Sequence, residues 1–261
     1  MKNILDEIVA YKREEVEARR TLVPEKELMQ SIHFERTCIS LKNNLLEEGA
    51  TGIIAEFKRR SPSKGYIHQF ADVAKVTGDY TVHGASGLSV LTDHHFFGGS
   101  TEDLAVARNN HIPILRKDFM IDPYQVLAAK AMGADVILLI AACLTKQEVR
   151  SLAGTAKQLG MQVLLELHEE EELEHLCEEI DMVGINNRSL KSFKVDINRS
   201  LQLAEALPSG MIKIAESGID DPATIRIFRE AGYKGFLIGE HFMKEQDPGA
   251  AFERFVKNIK K

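Results

Sequence analysis

The stretch "IIAEFKRRSPSKGYI", Ile53 to Ile67, separates two architectures. Ile53, Ile54 and Ala55 form an apolar run that reads as a strand buried on both faces. Glu56 and Lys58 stand at its end, and a cationic loop follows. That loop carries Arg59, Arg60 and Lys64 among Ser61, Pro62, Ser63 and Gly65. A doubly wound open sheet would need a phosphate loop of the G-x-G-x-x-G type at this point, and none is present.

Outward from Ile53, apolar β-branched runs recur. They are "GIIAEF" from Gly52, "GLSVLT" from Gly87, "IPILRK" from Ile112, "DVILLIA" from Asp135, "QVLLEL" from Gln162, "MVGINN" from Met182, "IKIAES" from Ile212 and "GFLIGE" from Gly235. Their starts lie roughly 20 to 35 residues apart, the length of a strand plus a crossover helix. Helical patterns fill the gaps, as in "PYQVLAAKAMGA" from Pro123, "KQEVRSLAGTAKQLG" after Thr145 and "DPATIRIFREAG" from Asp221. Thr145 and Asp221 are N-cap types, and glycines close the helices just before the next strand. Eight such units place the chain in the α/β class, as a closed (β/α)8 TIM barrel. Residues 1–48 read as an N-terminal helical extension, with Ile4, Ile8, Val9, Tyr11 and Val16 at near-helical spacing. No linker divides the chain, so residues 1–261 are expected to form a single domain.

Composition narrows the function. The net charge of −6 argues against a nucleic-acid surface, though a local basic pocket for a small anion fits an acidic protein. Cys38, Cys143 and Cys177 show no metal spacing, and read as plain thiols of a reducing compartment. The charged N-terminus has no signal-peptide pattern, and no run reaches the ~18 apolar residues of a membrane span. The expectation is a cytoplasmic protein.

In a barrel of this kind the catalytic face lies at the C-terminal ends of the strands. Those ends carry Glu56 and Lys58, Thr92 and Asp93, Lys117 and Asp118, Glu166 and His168, Asn186, Asn187 and Arg188, Glu216, Ser217 and Gly218, then Gly239 and Glu240. A period of two puts Glu56 and Lys58 on one side of their strand. If that side is the lumen, Lys117, Glu166, Asn186 and Glu216 converge with them. Unpartnered buried charges cost several kcal/mol each, so these must neutralise one another or meet a charged ligand. The glycine turns of "IAESGI" and "FLIGEHF", and a short helix over "EHFMKE", offer backbone N–H groups to a phosphate. Ser61 and the first-loop cations are placed to complete that site. Two features are read as non-functional. His94 and His95 lack a third ligand at metal spacing, and "HEEEELEH", His168 to His175, reads as the acidic, solvated start of a helix. Phe96, Phe97 and Phe119 are either ordinary packing or an aromatic wall above the charged floor.

The motifs "AEFKRRSPSKG", "SVLTDHHFFGGSTEDL", "PILRKDFMIDPYQV", "LLELH", "VGINNRSL", "AESGI" and "FLIGEHFM" together resemble the indole-3-glycerol-phosphate synthase family of tryptophan biosynthesis. The resemblance spans nearly the whole chain. "EFKRRSPSKG" and "LRKDF" are specific to that family, whereas "AESGI" is shared with other phosphate-binding barrels. It implies a lyase that closes the indole ring of 1-(2-carboxyphenylamino)-1-deoxyribulose 5-phosphate, with loss of carbon dioxide and water and with no cofactor or metal. It assigns Lys117 as general acid of ring closure, Glu166 as acid/base of dehydration, and Glu56 with Lys58 as the catalytic pair of the first strand. Lys58 would also hold the substrate carboxylate. Asn186 and Arg188 would orient the substrate, with Glu216 beside them. Ser61, Ser217, Gly218, Gly239 and Glu240 would cradle the phosphate. Pro62, Phe97, Phe119 and Leu190 would hold the anthranilate ring. Glu240 departs from the small serine of many members, so only its backbone N–H is expected to face phosphate. The implied partner is a phosphorylated, carboxylated aromatic small molecule, not a nucleic acid or membrane. Docking on another tryptophan-pathway enzyme is left open. The rival readings are another phosphate-binding barrel, such as a phosphoribosyl isomerase, and a non-catalytic binding or scaffold protein.

Overall fold

The computed structural model describes residues 4–189 and 194–259. All eight apolar runs are strands of one closed parallel barrel. The extension opens the chain with α1 (Ile4–Leu22), α2 (Glu25–Leu28) and α3 (Leu41–Leu46). Strand β1 (Ile53–Phe57) follows, then a small hairpin of β2 (Arg60–Ser61) and β3 (Gly65–Tyr66). The alternation continues through α4 (Val73–Val82), β4 (Gly87–Leu91), α5 (Thr101–Ala107), β5 (Ile114–Lys117), α6 (Pro123–Met132), β6 (Val136–Ile140), α7 (Lys146–Gln158), β7 (Gln162–Leu167) and β8 (Met182–Asn186). It ends with α8 (Ile197–Glu205), β9 (Ile212–Glu216), α9 (Pro222–Glu230), β10 (Gly235–Ile238), α10 (Glu240–Met243) and α11 (Pro248–Ile259). β1 closes the barrel by pairing with both β4 and β10.

The helices start and stop where local chemistry requires. Asp122 and Gln125 form a capping box at α6, and Thr145 and Glu148 form another at α7. Gly133 ends α6 in the left-handed region, at φ 91°, which costs a glycine nothing. One crossover is not an α-helix. Between β7 and β8 lies a 3-10 turn, Glu170–His175. Its run of glutamates offers only Leu173 and, just after it, Leu176 to the barrel, too little apolar surface to dock a longer helix. The expected solvated helix start is corrected here, and His168 at its head is buried.

The two faces of each strand separate cleanly. Ile53, Ala55 and Phe57 pack under the surrounding helices. Ile54 joins Leu115, Leu138, Leu164, Met182, Ile214 and Leu237 in an inner cluster that fills the barrel. Counting on by two from these lumen residues gives Glu56, Lys117, Glu166, Glu216 and Gly239. The alternation that packs the core therefore delivers these positions to the barrel mouth.

The extension reaches both ends of the barrel. Leu41 of α3 plugs the N-terminal end, so close that a Cβ on Gly87 would lie 2.6 Å from it. Leu5 and Ile8 of α1 cap the opposite end. Further along α1, Lys12 is wholly buried, and its Nζ lies 2.8 Å from Asp93, 3.0 Å from Asp118 and 3.0 Å from Glu15. Asp93 accepts from the backbone N–H groups of Phe96 and Phe97, and Asp118 from that of Phe119. One ammonium thus ties down the two loops that carry these aromatic rings.

Candidate active site

A cavity of about 280 Å³ opens at the C-terminal ends of the strands. Glu56, Lys58, Lys117, Glu166, Asn186 and Glu216 line its floor. Ser61 and Pro62 come from the β2–β3 hairpin, Phe97 and Phe119 from the loops after β4 and β5, and Arg188 from the end of β8. Ser217, Gly218, Gly239 and Glu240 complete the rim after β9 and β10. Leu190 lies outside the described residues.

The charges on the floor neutralise one another. Lys58 Nζ lies 2.7 Å from Glu56 Oε1. Lys117 Nζ donates to Glu166 Oε2 at 2.9 Å and to Glu216 Oε2 at 3.0 Å. Asn186 Nδ2 donates to Glu166 Oε1 at 2.9 Å. Burial disfavours the charged forms of Lys117, Glu166 and Glu216, but their charged neighbours decide the outcome differently at the two carboxylates. At Glu166 the pull of Lys117 and His168 outweighs burial and holds the carboxyl well below its usual range. At Glu216 burial and repulsion from Glu166 win over Lys117, and the carboxyl is pushed up to about 7. Burial pulls Lys117 down, yet Glu166, Glu216 and Glu56 together raise it and keep it an ammonium. Two neighbouring carboxyls with such different proton affinities can serve as base and acid in one site.

Two glycines make room for this cluster. A Cβ on Gly184 of β8 would lie 2.0 Å from Glu216 Oε1, and one on Gly239 would lie 2.5 Å from Glu56 Oε1. The obstructed atom at Gly184 is the end of a flexible side chain, so an alanine there would push Glu216 away from Lys117. Gly184→Ala is therefore expected to lower kcat by up to about 100-fold while the melting temperature stays within a few degrees. Parallel kinetics and thermal melts check it; a kcat within threefold of the parent would refute the spatial argument.

The rim after β9 turns through left-handed backbone. Ser217 is at φ 67° and Gly218 at φ 68°, and Ser217 is the one non-glycine with positive φ among the described residues. Such backbone persists where its surroundings hold it. Asn187, fully buried, donates to the Ser217 carbonyl at 2.7 Å and does that holding. Gly218 also leaves space for Val195, which a Cβ would meet at 2.4 Å. Ser61 Oγ is buried with no hydrogen-bond partner among the described residues. Phe97 and Phe119, with ring centroids 6.0 Å apart, also line the cavity.

The first-loop cations behave differently from expectation. Arg59 does not reach the cavity: it forks onto Asp103 at 2.5 and 2.9 Å and caps the Phe57 ring. Arg60 sits over Tyr66 and donates to the His95 carbonyl. Both are drawn outward by better-placed acceptors. Lys64 reaches across to Glu240 Oε1 at 2.6 Å, and Arg188 approaches the other carboxylate oxygen at 3.7 Å. The Glu240 carboxylate is thus taken up by two cations at the rim. Lys64→Ala would leave that negative charge less compensated, and is expected to raise KM about three- to tenfold with kcat little changed. An unchanged KM in steady-state assays would show that the pair has no bearing on substrate entry.

Three residues went unassigned in the sequence reading. Lys244 lines the cavity from the end of α10. Asn187 stands at a strand end, but its parity points away from the lumen, so only the contact with Ser217 shows its use. His168 Nε2 lies 2.9 Å from Glu166 Oε1. Its position two residues after Glu166 was a legible signal, masked by the glutamate run that follows.

A sequence model of indole-3-glycerol phosphate synthase matches residues 5–255. The indole-3-glycerol phosphate synthase of Bacteroides thetaiotaomicron is 47% identical over 260 residues, covering 99% of this chain and 100% of the relative. That of Bordetella pertussis is 41% identical over 261 residues, covering 98% and 100%. Among solved structures, 3-hexulose-6-phosphate synthase from Salmonella typhimurium matches with a TM-score of 0.61 at 12% identity, covering 80% of this chain and 100% of that one. Thiamine phosphate pyrophosphorylase from Pyrococcus furiosus matches with a TM-score of 0.59 at 15% identity, covering 84% and 99%. At these identities the likeness is one of fold.

Proposed function

The chain belongs to the indole-3-glycerol phosphate synthase family, and from that premise we propose how its cavity carries out the family's reaction. That reaction is a carboxy-lyase step of tryptophan biosynthesis. The substrate, 1-(2-carboxyphenylamino)-1-deoxyribulose 5-phosphate, undergoes ring closure, decarboxylation and dehydration to indole-3-glycerol phosphate.

The observation that carries the assignment of roles is Lys117, held as an ammonium between Glu166 and Glu216 in a buried cavity. In ring closure the aryl carbon attacks the ketone carbon, and the ketone oxygen gains negative charge. A preorganised ammonium stabilises and protonates that oxygen. The ring formed is cationic until carbon dioxide leaves, and Glu56, Glu166 and Glu216 surround it with negative charge. Glu166 then manages the hydroxyl that departs as water, with Asn186 orienting it. Lys58 and Arg188 hold the substrate carboxylate. Ser61, Ser217, Gly218, Gly239 and the backbone N–H of Glu240 hold the phosphate, with Lys244 beside them. Pro62, Phe97 and Phe119 pack on the anthranilate ring, as would Leu190. Holding a flexible substrate at both ends raises its effective concentration for self-attack.

The extension and barrel act as one unit in this reading, because α1 supplies part of the cavity lining and the ammonium under the aromatic loops. Among the described residues no helix is long and apolar enough to cross a membrane. The unpaired thiols support a reducing compartment, the cytoplasm. The test is indole-type fluorescence appearing when the purified chain meets the substrate, with and without a chelator. Turnover in both conditions is expected; no fluorescence at micromolar enzyme would remove the reading.

A further inference from the structure

We infer that His168 is a positioning residue that holds a proton for Glu166 and supplies it during dehydration, an inference that rests on the acid/base role proposed for Glu166. His168 follows β7 directly, is 3% exposed and lines the cavity. Its Nε2 stands 2.9 Å from Glu166 Oε1, turned off the ideal line of a hydrogen bond, as resting catalytic contacts often are. Its Nδ1 has no hydrogen-bond partner among the described residues. A core histidine kept for packing would ordinarily have its ring nitrogens satisfied.

Glu166 does not need His168 to stay in place. Asn186 already donates to Oε1 and Lys117 to Oε2. What a third contact adds is proton capacity. Asn186 has none, and the Lys117 proton is the one given to the ketone oxygen in ring closure. Imidazole is the side chain whose ordinary proton affinity lies near neutrality. Several groups bear on the ring: Glu166 on its own strand, Glu172 from the 3-10 turn and Glu216 from β9. Lys117 from β5 and Cys143, close to Glu166 and Glu172, complete the surroundings. Burial pulls the imidazole down, and the carboxylates outweigh it and favour the imidazolium.

The step balances without an outside reagent. The imidazolium Nε2–H passes its proton to the Glu166 carboxylate and becomes neutral. The carbon–oxygen bond breaks with its electron pair on the hydroxyl, and that proton, handed on by Glu166, completes the water. The proton shed by the neighbouring ring carbon, as the double bond forms, restores the imidazolium.

The experiment compares kcat–pH profiles of the parent, His168→Gln, His168→Asn and Glu166→Gln by indole-type fluorescence, with thermal melts as the folding control. The parent kcat is expected to decline on the alkaline side of the ordinary histidine range. His168→Gln should lose tenfold or more in kcat with KM within threefold, and should lose that decline. His168→Asn covers the case in which the glutamine variant fails to fold. A profile that keeps the parent's alkaline decline assigns it to Glu216 and overturns the inference, as does a kcat within threefold. A parent with no alkaline decline overturns it without any variant. If Glu166→Gln itself turns over normally, the acid/base reading of Glu166 is what has failed.

Discussion

Lys117→Ala is expected to lower kcat by about 100-fold or more, the usual scale for removing a positioned general acid. Two losses act together. The developing oxyanion loses its ammonium, and Glu166 and Glu216 lose the cation that both contact. Without it the two carboxyls face each other in a buried site. Glu216, already pushed up to about 7 by burial and by Glu166, should then take up a proton at still higher pH. The rising limb of the kcat–pH profile that needs Glu216 ionised should move to the alkaline side along with the fall in rate. KM should change far less, since Lys58, Arg188 and the rim hold the ends of the substrate. Steady-state kinetics across pH 5 to 9 decide it. A kcat within tenfold of the parent would take Lys117 out of the acid role.

Lys12→Met should produce the largest loss of stability outside the core. Breaking a buried ion pair by removing one partner costs about 3–5 kcal/mol, because the remaining charges stay buried. At roughly 2–4 °C per kcal/mol for a chain of this size, the melting temperature should fall by roughly 10 °C. The acid limb should move as well. Burial would raise Asp118, but Arg116 and Lys12 hold it down at about 2, from an ordinary 3.8. Its contribution is complete above the ordinary carboxyl range and is lost as pH falls from there toward 2. With only Arg116 left, that contribution should be smaller and should be used up at a higher pH. Because Asp93 and Asp118 anchor the loops bearing Phe97 and Phe119, KM should rise in the folded variant. A melting temperature within 2 °C of the parent would mean the network is stabilised without its ammonium.

Most of the site was legible before any coordinates. Glu56, Lys117, Glu166 and Glu216 each follow a lumen residue by two, so period-2 alternation plus the strand-end rule suffices to bring them together. His168 obeys the same rule, but the run of glutamates after it resembles a solvated surface. Lys12 gave no signal, since a lysine on a helix rich in Lys, Arg and Glu is ordinarily exposed. Arg59 and Arg60 misled, because their nearest acceptors, Asp103 and the His95 carbonyl, are 44 and 35 residues away in sequence.

The sequence by itself determined the strand count, the closed topology and which side chains enter the lumen. These depend on local periodicity and on turn chemistry, which are written along the chain. Only the tertiary structure decided which charges pair, how Glu166 and Glu216 divide their proton affinities, and that a lysine in the extension fastens the aromatic loops. Those outcomes depend on burial and on distances of about 3 Å between residues far apart in sequence, and no spacing in the chain encodes them.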